Sequence, residues 1–446
     1  MTLVTPEVKY SPLKRPGTTP NVSAMHAYSE NEIKRLDIPD MGQGNPLQMM
    51  PAALLKLIKW WGKSGNKYHD KYSLKGNEAA ARFLTAFGGL KNADKNNTLL
   101  LQQPGRFMLA AAFKASADPY RDFDKKPIFI VPDKMWGVIN IIFRGCGIKL
   151  VTYDVLDPNP AKAIQKTIEE KVPEKDRDMV CGVYMCSPNN PTGALYTADD
   201  FAANSEYVMQ FNAKRKAAGL PGIVTVVDAP YINACPHNAA GSSHILQTGW
   251  DGVFGPAMIL NSFSKQFEMC AEGGGAAHIA DLSLMDAFRT QASVFGGLSY
   301  GNNFMEKMAN AMHPKNDEAW QEFFLSIHDL YRDNLVETRQ LFGDRAAKSL
   351  GSNMTGLVQV SGKVVGKEGE YFDSSKHLIK CGDDFIEFLH NRIEGVTCVY
   401  DGMTPDGDFD IRIANKNPIE IHRTGLLRIK DGERELIGPA PALAAA

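Results

Sequence analysis

The sequence predicts an α/β fold, a mostly parallel sheet sandwiched by helices, with a smaller α+β domain. Three observations carry this. From Thr98 to Leu260, short apolar runs of strand length alternate with helical segments, the order that parallel strands need for their crossovers. After Gly351 the pattern shifts to short strands and one helix. Finally, Trp136, Asn190, Asp228 and Lys265 each fall just past the end of a predicted strand, the rim where open α/β sheets bind ligands.

Taken in order, residues 1–35 carry Pro6, Pro12, Pro16 and Pro20 among polar residues and read as an extended arm. Ile38 to Pro46 is a Gly/Pro-rich loop that lets backbone N–H groups approach a ligand; a plain turn is equally consistent. A helix is predicted over Ala52–Trp61, a polar loop over Tyr68–Gly76 and a helix over Asn77–Phe87. A strand at Thr98–Leu101 runs through Pro104-Gly105-Arg106 into a helix over Phe107–Ala115. A strand, a glycine and a helix N-terminus together suit an anion. Strands follow at Pro127–Val131, Ile148–Tyr153, Val180–Met185 and Ile223–Val227, with helices up to Gly145 and over Ala161–Lys171 and Thr197–Ala218. Gly252–Leu260 is apolar and bounded by Gly and Pro, a buried strand. Residues 281–296 read as helix and Phe295–Asn303 as loop. Trp320, Phe323, Phe324, Ile327, Tyr331 and Leu335 recur at helical steps within a long helix over Asp317–Lys348. Asp383–Arg392 is the later helix, Val396–Tyr400 a strand, and Pro439–Ala446 a frayed tail.

Composition narrows the function. With 446 residues, 44% hydrophobic and 22% charged, the chain is an ordinary globular protein large enough for more than one core. A net charge of −2 argues against a nucleic-acid surface or a polybasic membrane patch. No apolar run reaches membrane length, and residues 1–30 lack a signal-peptide core. The seven cysteines are scattered without a CxxC pair, which fits reduced thiols in a cytoplasmic protein, and no metal-ligand cluster stands out.

The chemistry centres on Ser262-Phe263-Ser264-Lys265. A lysine held just past a buried strand has a depressed pKa, and its neutral amine attacks a carbonyl to give a Schiff base. An exposed turn lysine is the other reading of the same residues. Two further stretches lie at strand ends: Ser187-Pro188-Asn189-Asn190-Pro191-Thr192-Gly193 and Asp228-Ala229-Pro230-Tyr231.

In these three stretches, in order and at this spacing, the chain resembles the class I/II aminotransferases over residues 35–430. These are aspartate-aminotransferase-like, fold-type I enzymes that use pyridoxal 5'-phosphate. The resemblance implies a Schiff base on Lys265, which then moves the proton of the substrate Cα. It implies that Asp228 keeps the pyridine nitrogen protonated, that Asn190 and Tyr231 hold the ring oxygen, and that Trp136 stacks on the ring. Gly105, Arg106 and Ser262 would hold the phosphate, Tyr72 would reach the phosphate of a neighbouring subunit, and Gly44 would lie near the substrate carboxylate. It also implies a homodimer with shared sites. The chain divides into an arm (1–35), the N-terminal part of a small domain (36–66), a large cofactor-binding domain (67–335) and a C-terminal small domain (336–446). For the substrate carboxylate, Arg428 in Gly425-Leu426-Leu427-Arg428-Ile429 best fits the family's strand context, ahead of Arg412, and the usual C-terminal helix reads as short or missing.

Two departures from the pattern bear on function. Gly273 stands where the family has an arginine on the phosphate; Arg106 is the expected compensation. Gly297 stands in the loop that carries an arginine for a distal carboxylate in aspartate transaminases, so a dicarboxylic substrate is not the first choice. The function implied is transfer of an amino group from an amino acid to a 2-keto acid. The alternative is elimination, replacement, cyclisation or oxidation in specialised biosynthesis on the same scaffold. A non-catalytic homologue is disfavoured by the intact Lys265, Asp228, Asn190 and Tyr231.

Overall fold

The structure is a computed structural model. It describes residues 74–103, 105–231, 249–265, 273–294, 307–347, 355–360, 371–372, 378–379, 399–403 and 409–437. The predicted arm, the helix at Ala52–Trp61, the loop at Phe295–Asn303, the helix at Asp383–Arg392 and the tail lie outside these residues.

Long apolar runs become the strands of one sheet because both faces are covered. Its seven strands are β1 (Thr98–Leu101), β2 (Ile128–Pro132), β3 (Lys149–Tyr153), β4 (Val180–Cys186), β5 (Val224–Asp228), β6 (Ala257–Ser262) and β7 (Gly275–His278). They lie in the order β1-β7-β6-β5-β4-β2-β3. β7 runs antiparallel to both neighbours, and the pairs from β6 through to β3 are parallel. Every residue of β2, β4, β5 and β6 is buried, which accounts for their unbroken apolar runs. The edge strand β3 is partly exposed and correspondingly more polar.

The helices are α1 (Leu74–Gly88), α2 (Gly105–Ala117), α3 (Val138–Gly145), α4 (Pro160–Lys166), α5 (Ala198–Ala217), α6 (Leu282–Val294), α7 (Asp317–Phe342), α8 (Asp344–Ala347) and, near the C-terminus, α9 (Ile419–Ile437). α1 begins within the predicted loop at 68–76; the Asn77 side chain accepts from the Leu100 amide at 2.9 Å and ties this first turn to β1. The fourth helix ends at Lys166 and continues as a π-turn to Lys171. β6 starts at Ala257 rather than Gly252, because Gly255 takes φ +74° and Pro256 follows it. The long helix stops at Phe342, where Gly343 turns the backbone to φ +56°.

A second sheet pairs β8 (Thr355–Val360), β11 (Val399–Met403) and β12 (Phe409–Ala414) in the order β11-β12-β8, all antiparallel. The short strands β9 (Tyr371–Phe372) and β10 (Leu378–Ile379) pair separately. After β12 the expectation of a strand at 425–429, and of a short or missing last helix, is corrected: this segment is the middle of the 19-residue α9. The reason is its period. His422, Gly425, Leu426, Ile429 and Gly432 are buried, at helical rather than alternating steps.

α9 packs on α7 through a polar seam. Asn334 Nδ2 donates to the Asn415 and Asn417 carbonyls at 2.7 and 2.8 Å, and Arg423 meets Glu337 in a two-pronged ion pair. His422, within this seam, lies 2.9 Å from the Thr338 hydroxyl, and burial pushes its pKa down to about 4. The native state therefore holds a neutral imidazole, while the unfolded chain takes up a proton below about pH 6.5. Stability is predicted to be full above that pH and to fall as pH drops towards 4, by about 2–3 kcal/mol at pH 4.5. Urea unfolding at pH 7 and 4.5 checks this; a His422→Gln variant should show a correspondingly flatter profile.

Candidate active site

Four neighbouring parallel strands, β2, β4, β5 and β6, end at one rim, and each hands its chain to a predicted site segment. In the register, Cys186 lies opposite Asp228, and Asp228 opposite Leu260. The Ser187 amide donates to the Asp228 carbonyl (3.1 Å) and the Ala229 amide to the Leu260 carbonyl (2.8 Å), so the rim is tied just past the last paired residues.

The loop after β4 is built on Asn189 rather than Asn190. Asn189 is fully buried: its Oδ1 accepts from the Thr192 amide and hydroxyl (3.2 and 2.8 Å), and its Nδ2 donates to the Lys134 carbonyl (3.2 Å). A capping box between Thr197 and Asp200 then starts α5. Held between these anchors, Asn190 is left half-buried at the rim. Its Oδ1 accepts from Arg412 Nη1 at 3.1 Å, and its side chain also hydrogen-bonds the buried Tyr231. Arg412, Asn190 and Tyr231 thus form one contiguous polar group linking β12 to the ends of β4 and β5.

Asp228 is buried, with 7% of its surface exposed, and receives the Tyr184 hydroxyl on Oδ2 at 2.9 Å. Burial pushes its pKa up to about 7, while the tyrosine bond pulls in the opposite direction. Sequence reasoning missed Tyr184. The one trace of it in the sequence is a tyrosine within an otherwise aliphatic and sulfur-containing strand.

On β6, Ser262 is buried and its hydroxyl lies 3.2 Å from that of Ser264. A Cβ added at Gly105 would stand 2.9 Å from Ser262 Cβ and Oγ, so only glycine lets the start of α2 lie against this serine. Lys265 follows in the turn, half-buried, next to the fully buried Phe263, whose amide donates to the Gly274 carbonyl at 2.9 Å. Trp136 is half-buried in the turn between β2 and α3, its carbonyl accepting from the Ile139 amide at 2.9 Å. Arg106 is exposed on the first turn of α2. Gly273 has φ +69° and Gly274 φ +153°, a backbone that disfavours any side chain at the position where the family carries arginine. Tyr72, Gly44 and Gly297 lie outside the described residues.

Arg428 sits half-exposed on α9, not on a strand, whereas Arg412 is buried on β12 and joined to Asn190.

The model of the family "Aminotransferase class I and II" matches residues 37–341. The chain belongs to the class I and II aminotransferases. Histidinol-phosphate aminotransferase from Serratia proteamaculans is 35% identical over 92 residues, a match spanning 21% of this chain and only 20% of that enzyme. Among solved structures, aspartate aminotransferase from Rhizobium meliloti aligns with TM-score 0.68 at 16% identity, over 96% of this chain and all of that one. The aromatic aminotransferase from Pyrococcus horikoshii aligns with TM-score 0.66 at 16% identity, over 93% and 99% of the two chains. These structures establish the fold-type I architecture, at identities too low to transfer a substrate.

Proposed function

We propose that the protein is a pyridoxal-phosphate-dependent aminotransferase that moves an amino group from an amino acid to a 2-keto acid. The observation that carries this is the convergence, at one sheet rim, of a half-buried lysine, a buried carboxylate and an arginine–asparagine–tyrosine group. The residues fit the cofactor: the Gly105–Ser262 approach sets a serine hydroxyl beside the first amides of a helix, donors that suit a phosphate, and a buried acid with one bonded oxygen suits a ring N–H. Bound there, pyridoxal phosphate supplies a carbonyl that takes up an amine and a protonated ring that draws electrons from the substrate Cα.

The chain supplies the rest. Ser262 and the first amides of α2 would hold the phosphate, with Arg106 at the helix start adding charge in place of the arginine lost at position 273. Trp136 would cover the ring face. Asp228, charged opposite a cationic ring nitrogen, would keep the proton there, since an opposite charge reverses the effect of burial on its pKa. Arg412 would take the substrate carboxylate in a two-pronged grip while Asn190 fixes the guanidinium. That would fix the substrate so that Lys265 Nζ can take the Cα proton from the donor amino acid in one half-reaction and deliver a proton to Cα of the acceptor in the other.

The homodimer with Tyr72 reaching a neighbour's phosphate, the division at residues 35, 66 and 335, the cytoplasmic location and the amino acid substrate belong to the same proposal. Among the described residues, no helix is long and apolar enough to cross a membrane. Elimination or cyclisation chemistry gains no support from the relatives, which are named as transaminases.

Visible absorbance tests the proposal. The cofactor band of the purified protein should be lost on adding a suitable amino acid and restored by a 2-keto acid. A protein that takes up no pyridoxal phosphate would contradict it.

A further inference from the structure

We infer that Tyr184 is a positioning residue for the cofactor: its hydroxyl occupies one oxygen of the Asp228 carboxylate and so presents the other to the pyridine nitrogen. This rests on the functional reading above, in which Asp228 faces the ring.

The geometry is specific. β4 and β5 pair in parallel with Tyr184 opposite Val226 and Cys186 opposite Asp228, so the tyrosine lies two residues below the carboxylate and its hydroxyl reaches up to it, 2.9 Å from Oδ2. Among the described residues, this hydroxyl is the one hydrogen-bond donor to the Asp228 carboxylate. The ring cannot swing away. Tyr184 is 1% exposed and wedged edge-on against Phe113 and Phe143, at centroid distances of 5.6 and 6.3 Å. The strand beneath it is also braced: the Tyr153 hydroxyl donates to the Tyr184 carbonyl at 3.3 Å and lies 3.0 Å from the Tyr196 hydroxyl.

The chemistry follows from this placement. Burial and the neighbouring carboxylate push the Tyr184 pKa far up, so the phenol keeps its proton and is always the donor. Burial raises the Asp228 pKa and the tyrosine bond opposes it, so the hydroxyl and a cationic ring nitrogen act in the same direction to keep the carboxylate charged. A hydrogen bond to the charged form favours that form. A phenylalanine would fill the same aromatic cluster equally well, so packing alone does not call for the hydroxyl.

Tyr184→Phe keeps the ring and deletes only the donor; Tyr153→Phe removes a hydroxyl from the same cluster that does not touch Asp228. Each protein is loaded with 15N-labelled pyridoxal phosphate and followed by ring-nitrogen NMR and by the rate of cofactor loss on dilution into a trapping reagent. Tyr184→Phe should lose cofactor about tenfold faster, the scale of one hydrogen bond to a charged group, and its ring nitrogen should shift towards the unprotonated position. Its melting temperature should match that of Tyr153→Phe, which should leave both cofactor readouts at the unaltered values. The assignment is overturned if Tyr184→Phe keeps the original resonance and rate, if Tyr153→Phe changes them as much, or if Tyr184→Phe does not fold, since the hydroxyl would then be structural. Failure of the unaltered protein to bind the cofactor would instead overturn the functional reading itself.

Discussion

Replacing Lys265 with alanine is expected to lower amino transfer by about 10⁴-fold, the upper range for removal of a general acid–base group, and to abolish covalent cofactor attachment. The lysine lies three residues past the end of β6, and the residues between are anchored. Ser262 is buried against the start of α2, and Phe263 is fully buried with its amide bonded to Gly274. None of these anchors involves the Lys265 side chain, so the variant should fold. Borohydride reduction followed by intact mass measurement checks the attachment. The unaltered protein should gain one cofactor mass per chain and the variant none. A cofactor still trapped in Lys265→Ala would place the reactive amine elsewhere.

The second large effect separates the two arginines. Arg412→Ala is expected to reduce kcat/KM by about 10²–10³-fold, the range for truncating one partner of a buried, hydrogen-bonded charge contact, mostly through KM. Arg428→Ala should stay within about twofold, the ordinary scale for a half-exposed helix residue. Arg412→Lys should recover only part of the loss, because an ammonium cannot reproduce the planar fork. The strand position of Arg412 and its bond to Asn190 carry this prediction. A larger loss in Arg428→Ala than in Arg412→Ala would restore the opposite order.

The contrast between these arginines shows which parts of the site were legible in the sequence. Segments that follow a buried parallel strand could be placed from local pattern alone. A continuous apolar run ends, polar residues begin, and the rim position follows for Asn190, Asp228 and Lys265. Arg412 was the second candidate in the sequence; its contact with Asn190 required knowing that β12, in a different sheet, reaches across to the loop after β4, which no local pattern encodes. Arg428 was placed on a strand because its segment resembles the family's strand context, whereas it lies on α9. Only the wider spacing of His422, Leu426 and Ile429 gives the helix. Tyr184 was invisible for another reason. Its hydroxyl acts across the strand pair, so its role depends on register and on the rotamer imposed by Phe113 and Phe143. Gly105 was legible as a phosphate-site residue and Gly273 as a departure, but neither in cause. Position 105 is glycine because Ser262 stands 2.9 Å from where a Cβ would be, whereas position 273 is glycine in a left-handed turn.

The account turns on amino transfer at this rim, and isotope tracing tests that most directly. The protein with pyridoxal phosphate is incubated with a 15N-labelled amino acid and an unlabelled 2-keto acid, and the products are resolved by mass. The account predicts that the label appears in a new amino acid, matched one for one by the keto acid of the donor. Label released as ammonium, with the donor converted to an elimination product, would contradict it.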